Sequence, residues 1–328
     1  MDVWEGKDLY ASSSVSEDDD DDDEDDEREE AEEEERSAAS NLWSQCIVHL
    51  DVDCFYCQCE EVDGPPDYKE RPIAIGQKHI IVTSNYVARR HGVKKLQLRT
   101  EAKRACPNLL ILEGSDLERY RKHSRRIYLA FRTKLQQLAA DLGVSVQVRR
   151  GGMDEAFCDM SEMVGASMCK VGSDEPLSLQ PFVYGDDSSR LSSITEDQSG
   201  AEAVVSHGEW ISSIENAHVR YGSITDRNRC KARLHRAAAL SGVVRRHIKE
   251  STGFTTTIGV SVSPMLAKLS SDLKKPDSLN ILYPWRSGSV ILPMPLRKIP
   301  ELGHRKLAAL KDCLQRHHSH QPKFWTCR

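Results

Sequence analysis

Apolar positions along this chain recur in blocks, and the spacing within each block predicts its element. Cys46-Ile-Val-His-Leu-Asp-Val-Asp53 is a short run rich in β-branched residues and predicts a buried strand. A helix opens over 55–61. Ile73-Ala-Ile75 and Ile80-Ile-Val-Thr83 predict a strand pair. Ser84 or Asn85 is suited to cap a helix starting at Tyr86, with Gly92 as its stop. Leu117, Tyr120, Ser124, Ile127, Tyr128, Phe131, Leu135 and Leu138 follow at steps of three or four, one buried stripe of a long helix. Ser115 and Glu118 have the spacing of a capping box at its start, and Gly143 marks its end.

Residues 144–148 and 156–159 read as an antiparallel pair, with Asp154 and Glu155 in the turn-like stretch between them. Residues 161–226 are rich in Ser, Gly and Asp and predict a long insertion of low periodicity. A helix is expected over 227–251, closed by Gly253, then a strand over 254–262. Ser263 caps and Pro264 starts the next helix, which carries Lys268. Residues 284–297 are connector, and 296–310 read as helix, tight turn at Gly303, helix. The last residues, 315–328, are polar, contain His317, His318 and His320, and show no fold signal. The order predicts an α+β fold, a sheet backed by helices.

The 328 residues suffice for two or three domains. No apolar run of about 18 residues occurs and no basic-then-apolar leader opens the chain, so neither a membrane span nor a secretory signal is expected. The net charge of -6 hides two unlike parts. Residues 1–40 hold 20 acidic and 3 basic side chains, and 41–328 hold 31 acidic and 42 basic, about +11. The first part predicts a disordered acidic tail that solubilises or meets a basic partner. The second suits a polyanion. Ten cysteines without a leader predict reduced thiols of a cytosolic or nuclear protein. Cys54-x-x-Cys57 lacks a second pair at zinc-finger spacing, which favours packed thiols.

The chemistry-bearing residues sit at strand ends. Asp51 and Asp53 close the first strand, and Asp154 and Glu155 adjoin another. Hard divalent cations take carboxylate oxygens, and two such ions about 4 Å apart serve phosphoryl and nucleotidyl transfer. Tyr86 and Arg89 share a helix face, where a guanidinium fork and a hydroxyl could grip phosphate. Lys268 offers a further point charge. Taken singly, each also reads as a solvated turn residue or a surface cation.

Five motifs in order resemble the Y-family translesion DNA polymerases over about 46–312. They are His49-Leu-Asp-Val-Asp-Cys-Phe-Tyr56, Thr83-Ser-Asn-Tyr-Val-Ala-Arg-Arg-His-Gly-Val93 and Gly152-Met-Asp-Glu-Ala-Phe157, then Ile258-Gly-Val-Ser-Val-Ser-Pro-Met-Leu-Ala-Lys268 with Lys275-Pro276, and Ile299-Pro-Glu-Leu-Gly303. Gly76-Gln-Lys78 and Gly152 look like the family's iota branch. After the acidic tail at 1–40, the resemblance implies a palm at 41–70 and 113–283, with a mobile insertion about 161–226 and a ferredoxin-like antiparallel sheet. It implies small α/β fingers at 71–112 and a helical thumb with a helix-hairpin-helix at 284–314, and the polar 315–328 that follows is expected to be unstructured.

It also implies error-prone, template-directed addition of dNTPs to a primer on damaged DNA, in the nucleus, with two Mg2+ ions for which Mn2+ substitutes. Asp51, Asp154 and Glu155 would be the catalytic metal ligands, with the Val52 carbonyl assisting, and Asp53 would orient. Tyr56 would be the steric gate, and Tyr86, Arg89 and Lys268 would hold the triphosphate. Gln77, Lys78 and Ile80 would face the templating base, in a pocket that in the iota branch favours Hoogsteen pairing. Gly303, Arg305 and Lys306 would meet DNA phosphates.

Some features depart from the family. Glu301 stands where glycine is usual, and Ser263-Pro264 where Asn-Lys is usual. A little finger domain is expected to be absent, since the chain stops after the thumb motif. A clamp or basic protein partner for the acidic tail stays open. Two other readings also stay open: a non-catalytic DNA-binding or scaffold remnant, and a nucleotide cyclase suggested by Gly151-Gly-Met-Asp-Glu155.

Overall fold

The computed structural model describes residues 43–170, 182–184, 224–300 and 302–317. Within them lie β1 (Ile47–Val52), α1 (Phe55–Asp63), β2 (Ile73–Gln77), β3 (Ile80–Ser84), α2 (Tyr86–Arg90), α3 (Arg99–Ala105) and β4 (Leu110–Glu113). Next come α4 (Leu117–Leu142), β5 (Val148–Arg150), β6 (Glu155–Asp159), α5 (Ser161–Lys170), β7 (Phe182–Tyr184) and α6 (Ile224–Thr252). The series ends with β8 (Thr256–Ser261), α7 (Pro264–Leu273), β9 (Leu279–Leu282), α8 (Ser287–Ile291) and α9 (His304–His317). The acidic tail, Glu301, His318, His320 and most of the insertion lie outside the described residues.

The strands form a six-stranded sheet, β5-β6-β1-β8-β9-β7, and a three-stranded sheet, β3-β2-β4. In the larger sheet β1 lies antiparallel between β6 and β8. The expected antiparallel sheet proves to be mixed, because β9 joins β8 in parallel and β7 joins β9 in parallel. The crossover between β8 and β9 is α7, the helical connection that parallel neighbours need. Four residues, Leu-Asn-Ile-Leu, carry too little period to announce β9 in the sequence.

The two faces of β1 have different partners. Val48, Leu50 and Val52 point into the main core with Tyr120, Ile127, Phe131 and Leu135 of α4 and Leu234, Val244 and Ile248 of α6. These α4 residues are the stripe that the spacing predicts. The other face, with His49 and Asp51, faces α7. Close approach of α7 depends on Gly259, since a Cβ there would lie 2.1 Å from the Ala267 carbonyl and 2.4 Å from the Ser271 nitrogen. The smaller sheet has its own cluster of Ala74, Ile81, Ala88, Val93, Ala102, Cys106 and Leu109. Its α3 and β4 escape the sequence pattern: α3 is mostly polar and buries only Ala102.

Several boundaries differ from expectation. The side chain that caps α4 is Asp116, which accepts from the Glu118 N–H at 3.0 Å, while the Ser115 hydroxyl donates to Glu113. Glu155 is the first residue of β6 rather than part of a turn. The expected insertion opens as the helix α5, which buries Met163 and Val164 in the main core, and it supplies β7. Before Gly303 there is one 3-10 turn, Leu296–Lys298, in place of a full helix. Residues 315–317 continue α9 rather than opening a structureless tail. Cys57 and Cys59 of α1 are packed as expected, and Cys54 is half-buried.

Candidate active site

Strand register brings the two acidic segments together. Asp51 on β1 lies directly opposite Glu155 on β6, and on its other side opposite Thr257 on β8. Directly opposed residues share a face of the sheet, with Cβ atoms roughly 5 Å apart. The Val52 N–H donates to the Asp154 carbonyl at 2.9 Å, which extends the pairing one residue past Glu155. Burial pushes the Asp51 carboxyl up, and Asp154 is raised first by burial and then by the neighbouring Glu155 charge. Glu155 is the exception. The His49 ring and the Lys268 ammonium hold it at about 2 against the effect of burial.

Ammonium groups stand against two of these carboxylates. Lys275 Nζ lies 2.7 Å from Asp51 Oδ1 and 3.0 Å from Asp272. Lys268 Nζ donates to both Glu155 oxygens, at 2.8 and 2.6 Å. Burial would lower the Lys275 ammonium, but Asp51 and Asp272 outweigh it and hold the amine protonated. Lys268 therefore meets Glu155 directly. The cation beside Asp51 is Lys275, to which its Lys-Pro motif alone gave no role. Lys95, after α2, exerts a further positive field on Asp154.

The loop that presents Lys275 is pinned by Asp277. Its N–H donates to Asp53 Oδ2 at 2.8 Å, and its carboxylate pairs with Arg245 and Lys249, each at 2.6 Å. Asp53 also accepts from the Thr257 hydroxyl at 2.7 Å. Asp53 is thus a buried tie between β1, β8 and this loop. Asp51 faces the lysine.

Tyr86, on the smaller sheet's helix, senses the charges of Asp53 and Lys275. Asn85 caps α2, accepting from the Ala88 N–H. The Arg89 guanidinium lies 4.6 Å from the Tyr86 ring centroid, so the two share a face as their spacing predicts. Burial, then the Asp53 charge, raises the Tyr86 phenol, and its hydroxyl is buried without a hydrogen-bond partner among the described residues. Tyr56 packs edge-on against Tyr120 at 4.5 Å and senses the charge of Asp154.

The expected template residues lie at one turn. Lys78 takes a left-handed φ of 51° between β2 and β3, and Ile80 bridges to Leu98. The Gln77 amide donates to the Gly114 carbonyl at 2.7 Å. Gly303, Arg305 and Lys306 are exposed at the start of α9.

The donor set is hard carboxylate oxygen, of the kind Mg2+-like ions take. Among the described residues no three acidic, His or Cys side chains form a ready-made cation cage. Lys275 and Lys268 balance the acidic charge in its place, and the buried Tyr86 hydroxyl still lacks a partner. By donor chemistry and charge the residues fit divalent cations that arrive with an anionic ligand able to engage the lysines.

A family model described as the impB/mucB/samB family matches residues 50–272. The chain belongs to this family. The matched range includes Asp51, Asp154, Glu155, Lys268 and the residues of α2. Human DNA polymerase iota is 30% identical over 272 residues, covering 83% of this chain and 31% of its own length. Drosophila DNA polymerase eta is 28% identical over 287 residues, with 80% and 30% covered. DNA polymerase IV of Vibrio vulnificus is 25% identical over 273 residues, with 81% and 54% covered. These relatives are Y-family polymerases, as the five motifs imply. The chain spans about a third of the length of the iota and eta relatives.

Among the described residues no helix is long and apolar enough to cross a membrane.

Proposed function

We propose that this protein is a template-directed DNA polymerase of the translesion type, adding dNTPs to a primer 3′ end opposite damaged DNA in the nucleus. The observation that carries the reading is the Asp51–Glu155 register, with Asp154 next to Glu155 and Lys275 against Asp51. The six-stranded sheet with α4, α6 and α7 serves as the palm, and the three-stranded sheet with α2 and α3 as the fingers. Residues 284–314 serve as the thumb, where Gly303, Arg305 and Lys306 meet phosphates. The first half of the thumb hairpin is one 3-10 turn, Leu296–Lys298.

Asp51, Asp154 and Glu155, with the Val52 carbonyl, would hold two Mg2+ ions or Mn2+. When bound, such a pair lowers the pKa of the primer hydroxyl and offsets charge on departing pyrophosphate. Arg89 and Tyr86 bind the triphosphate from one side, and Lys275 turns from Asp51 towards it from the other. Lys268 steadies Glu155 and offers a secondary cation to the phosphates. Tyr56 lies under the sugar and excludes a 2′-hydroxyl. Lys78 and Ile80 border the templating base, with Gln77 behind them, and a narrowed pocket there favours Hoogsteen pairing.

The test is primer extension on each template base with Mg2+ or Mn2+, alongside GTP alone and a gel shift on primed duplex. Extension supports the polymerase. Turnover of GTP without DNA would make it a cyclase. Duplex binding without extension at saturating protein would make it a non-catalytic DNA-binding protein.

A further inference from the structure

The acidic face buries a histidine, His49, to which the polymerase reading above gives no role. His49 has no exposed surface, lies between Phe157 on β6 and Gly259 on β8 in strand register, and packs on the Phe157 ring at 4.5 Å. Its Nδ1 is 2.8 Å from the Ser271 hydroxyl. Its Nε2 has no hydrogen-bond partner among the described residues and lies 3.6 Å from Glu155 Oε2. A histidine that only fills space would leave this buried nitrogen unmatched, an arrangement that folded proteins avoid.

The surroundings supply the missing half. The single hydroxyl proton of Ser271 has two acceptors, the Lys268 carbonyl at 2.7 Å and His49 Nδ1. Turned onto Nδ1, it fixes the tautomer with the proton on Nε2, and this N–H then faces the Glu155 carboxylate. A shift of about half an ångström closes the gap to hydrogen-bond length. Gly259 makes the arrangement possible, because only a position without a side chain lets Ser271 settle against this row of the sheet.

We infer that His49, held by Ser271, is a positioning residue for Glu155, orienting its carboxylate to share a cation with Asp51. The inference rests on the polymerase reading. Side chains that hydrogen-bond a metal-binding carboxylate typically change metal affinity or activity by about 10- to 100-fold when removed.

The test is Mn2+ titrated into the 328-residue protein with a non-hydrolysable dNTP, with free Mn2+ followed by electron paramagnetic resonance. Melting temperatures check folding. His49→Phe keeps the ring and loses the polar edge, and it should weaken Mn2+ binding about tenfold or more. His49→Gln places an amide near Nε2 and should recover most of that loss. Ser271→Ala should weaken binding several-fold, and should add little to His49→Phe in the double variant. Binding by folded His49→Phe within about twofold of wild type would overturn the inference. So would a His49→Gln as weak as His49→Phe beside a harmless Ser271→Ala, which reads as packing alone. If His49→Phe does not fold, the other two variants decide. A wild type that extends a primer while these variants bind normally removes only the positioning role. A wild type that neither binds Mn2+ nor extends removes the polymerase reading with it.

Discussion

Asp51 and Asp53 lie two residues apart, yet their surroundings differ. Asp53 is enclosed by the Thr257 hydroxyl and the Asp277 N–H, whereas Asp51 faces an ammonium. The acidic positions stood out in the sequence only as two clusters beside buried strands, since a single carboxylate at a strand end also reads as a solvated turn residue. The cation was not. Whether Lys268 or Lys275 reaches a given carboxylate depends on where α7 ends and on Asp277 anchoring the next loop to Arg245 and Lys249, which no local pattern records. Lys268 meets Glu155 and Lys275 meets Asp51, so on the polymerase reading the two should differ in kinetics. Lys275→Met should raise the dNTP KM by about tenfold, the loss of one charged phosphate contact, with a smaller effect on kcat. Steady-state extension with varied dNTP measures it, and an unchanged KM would place the triphosphate elsewhere.

α7 shows how much of the site belongs to one element. Ser263 accepts from the Leu266 N–H at 3.3 Å and Pro264 occupies the first turn, so the sequence that departs from the family's Asn-Lys gives up a cation and gains a firm helix start. That start was legible from the residue types. The closeness of α7 to β8 was not, since glycine at 259 shows its purpose only when the helix lies on it. Gly259→Ala should cost about 3 kcal/mol, the upper range for overpacking, in urea unfolding. Stability within about 0.5 kcal/mol of wild type would mean that α7 does not lie so close. Asn85 plays the matching part in the smaller sheet. Its side chain accepts from the Ile73 and Ala88 N–H groups and donates to Glu61 and the Arg71 carbonyl, so it sets α2 against β2. Asn85→Ala should cost about 2–4 kcal/mol, a lost cap plus buried groups left unpaired. A loss below about 1 kcal/mol in the same unfolding experiment would contradict this role. Long periodic elements such as α4 were readable, but α3, β4 and β9 were not, because short or polar segments take their structure from the sheets they join.

At the scale of the molecule, charge divides the chain more sharply than any domain boundary. Removing residues 1–40 turns a protein of net charge -6 into one of about +11. The shortened protein should bind primed duplex more tightly at low salt, with a steeper fall as salt rises, because less acidic chain competes for its cations. Fluorescence anisotropy across a salt series measures this, and identical curves would show that the tail leaves the basic surface alone. On the polymerase reading, carboxylates from β1 and from the start of β6 act together on a nucleotide. Single-turnover primer extension by Asp154→Ala tests it most directly, with duplex binding measured on the same preparation. Unchanged DNA binding is expected, with extension reduced by at least about 1000-fold, the scale of loss when a group that acts on the transition state is removed. Full extension by Asp154→Ala would contradict it.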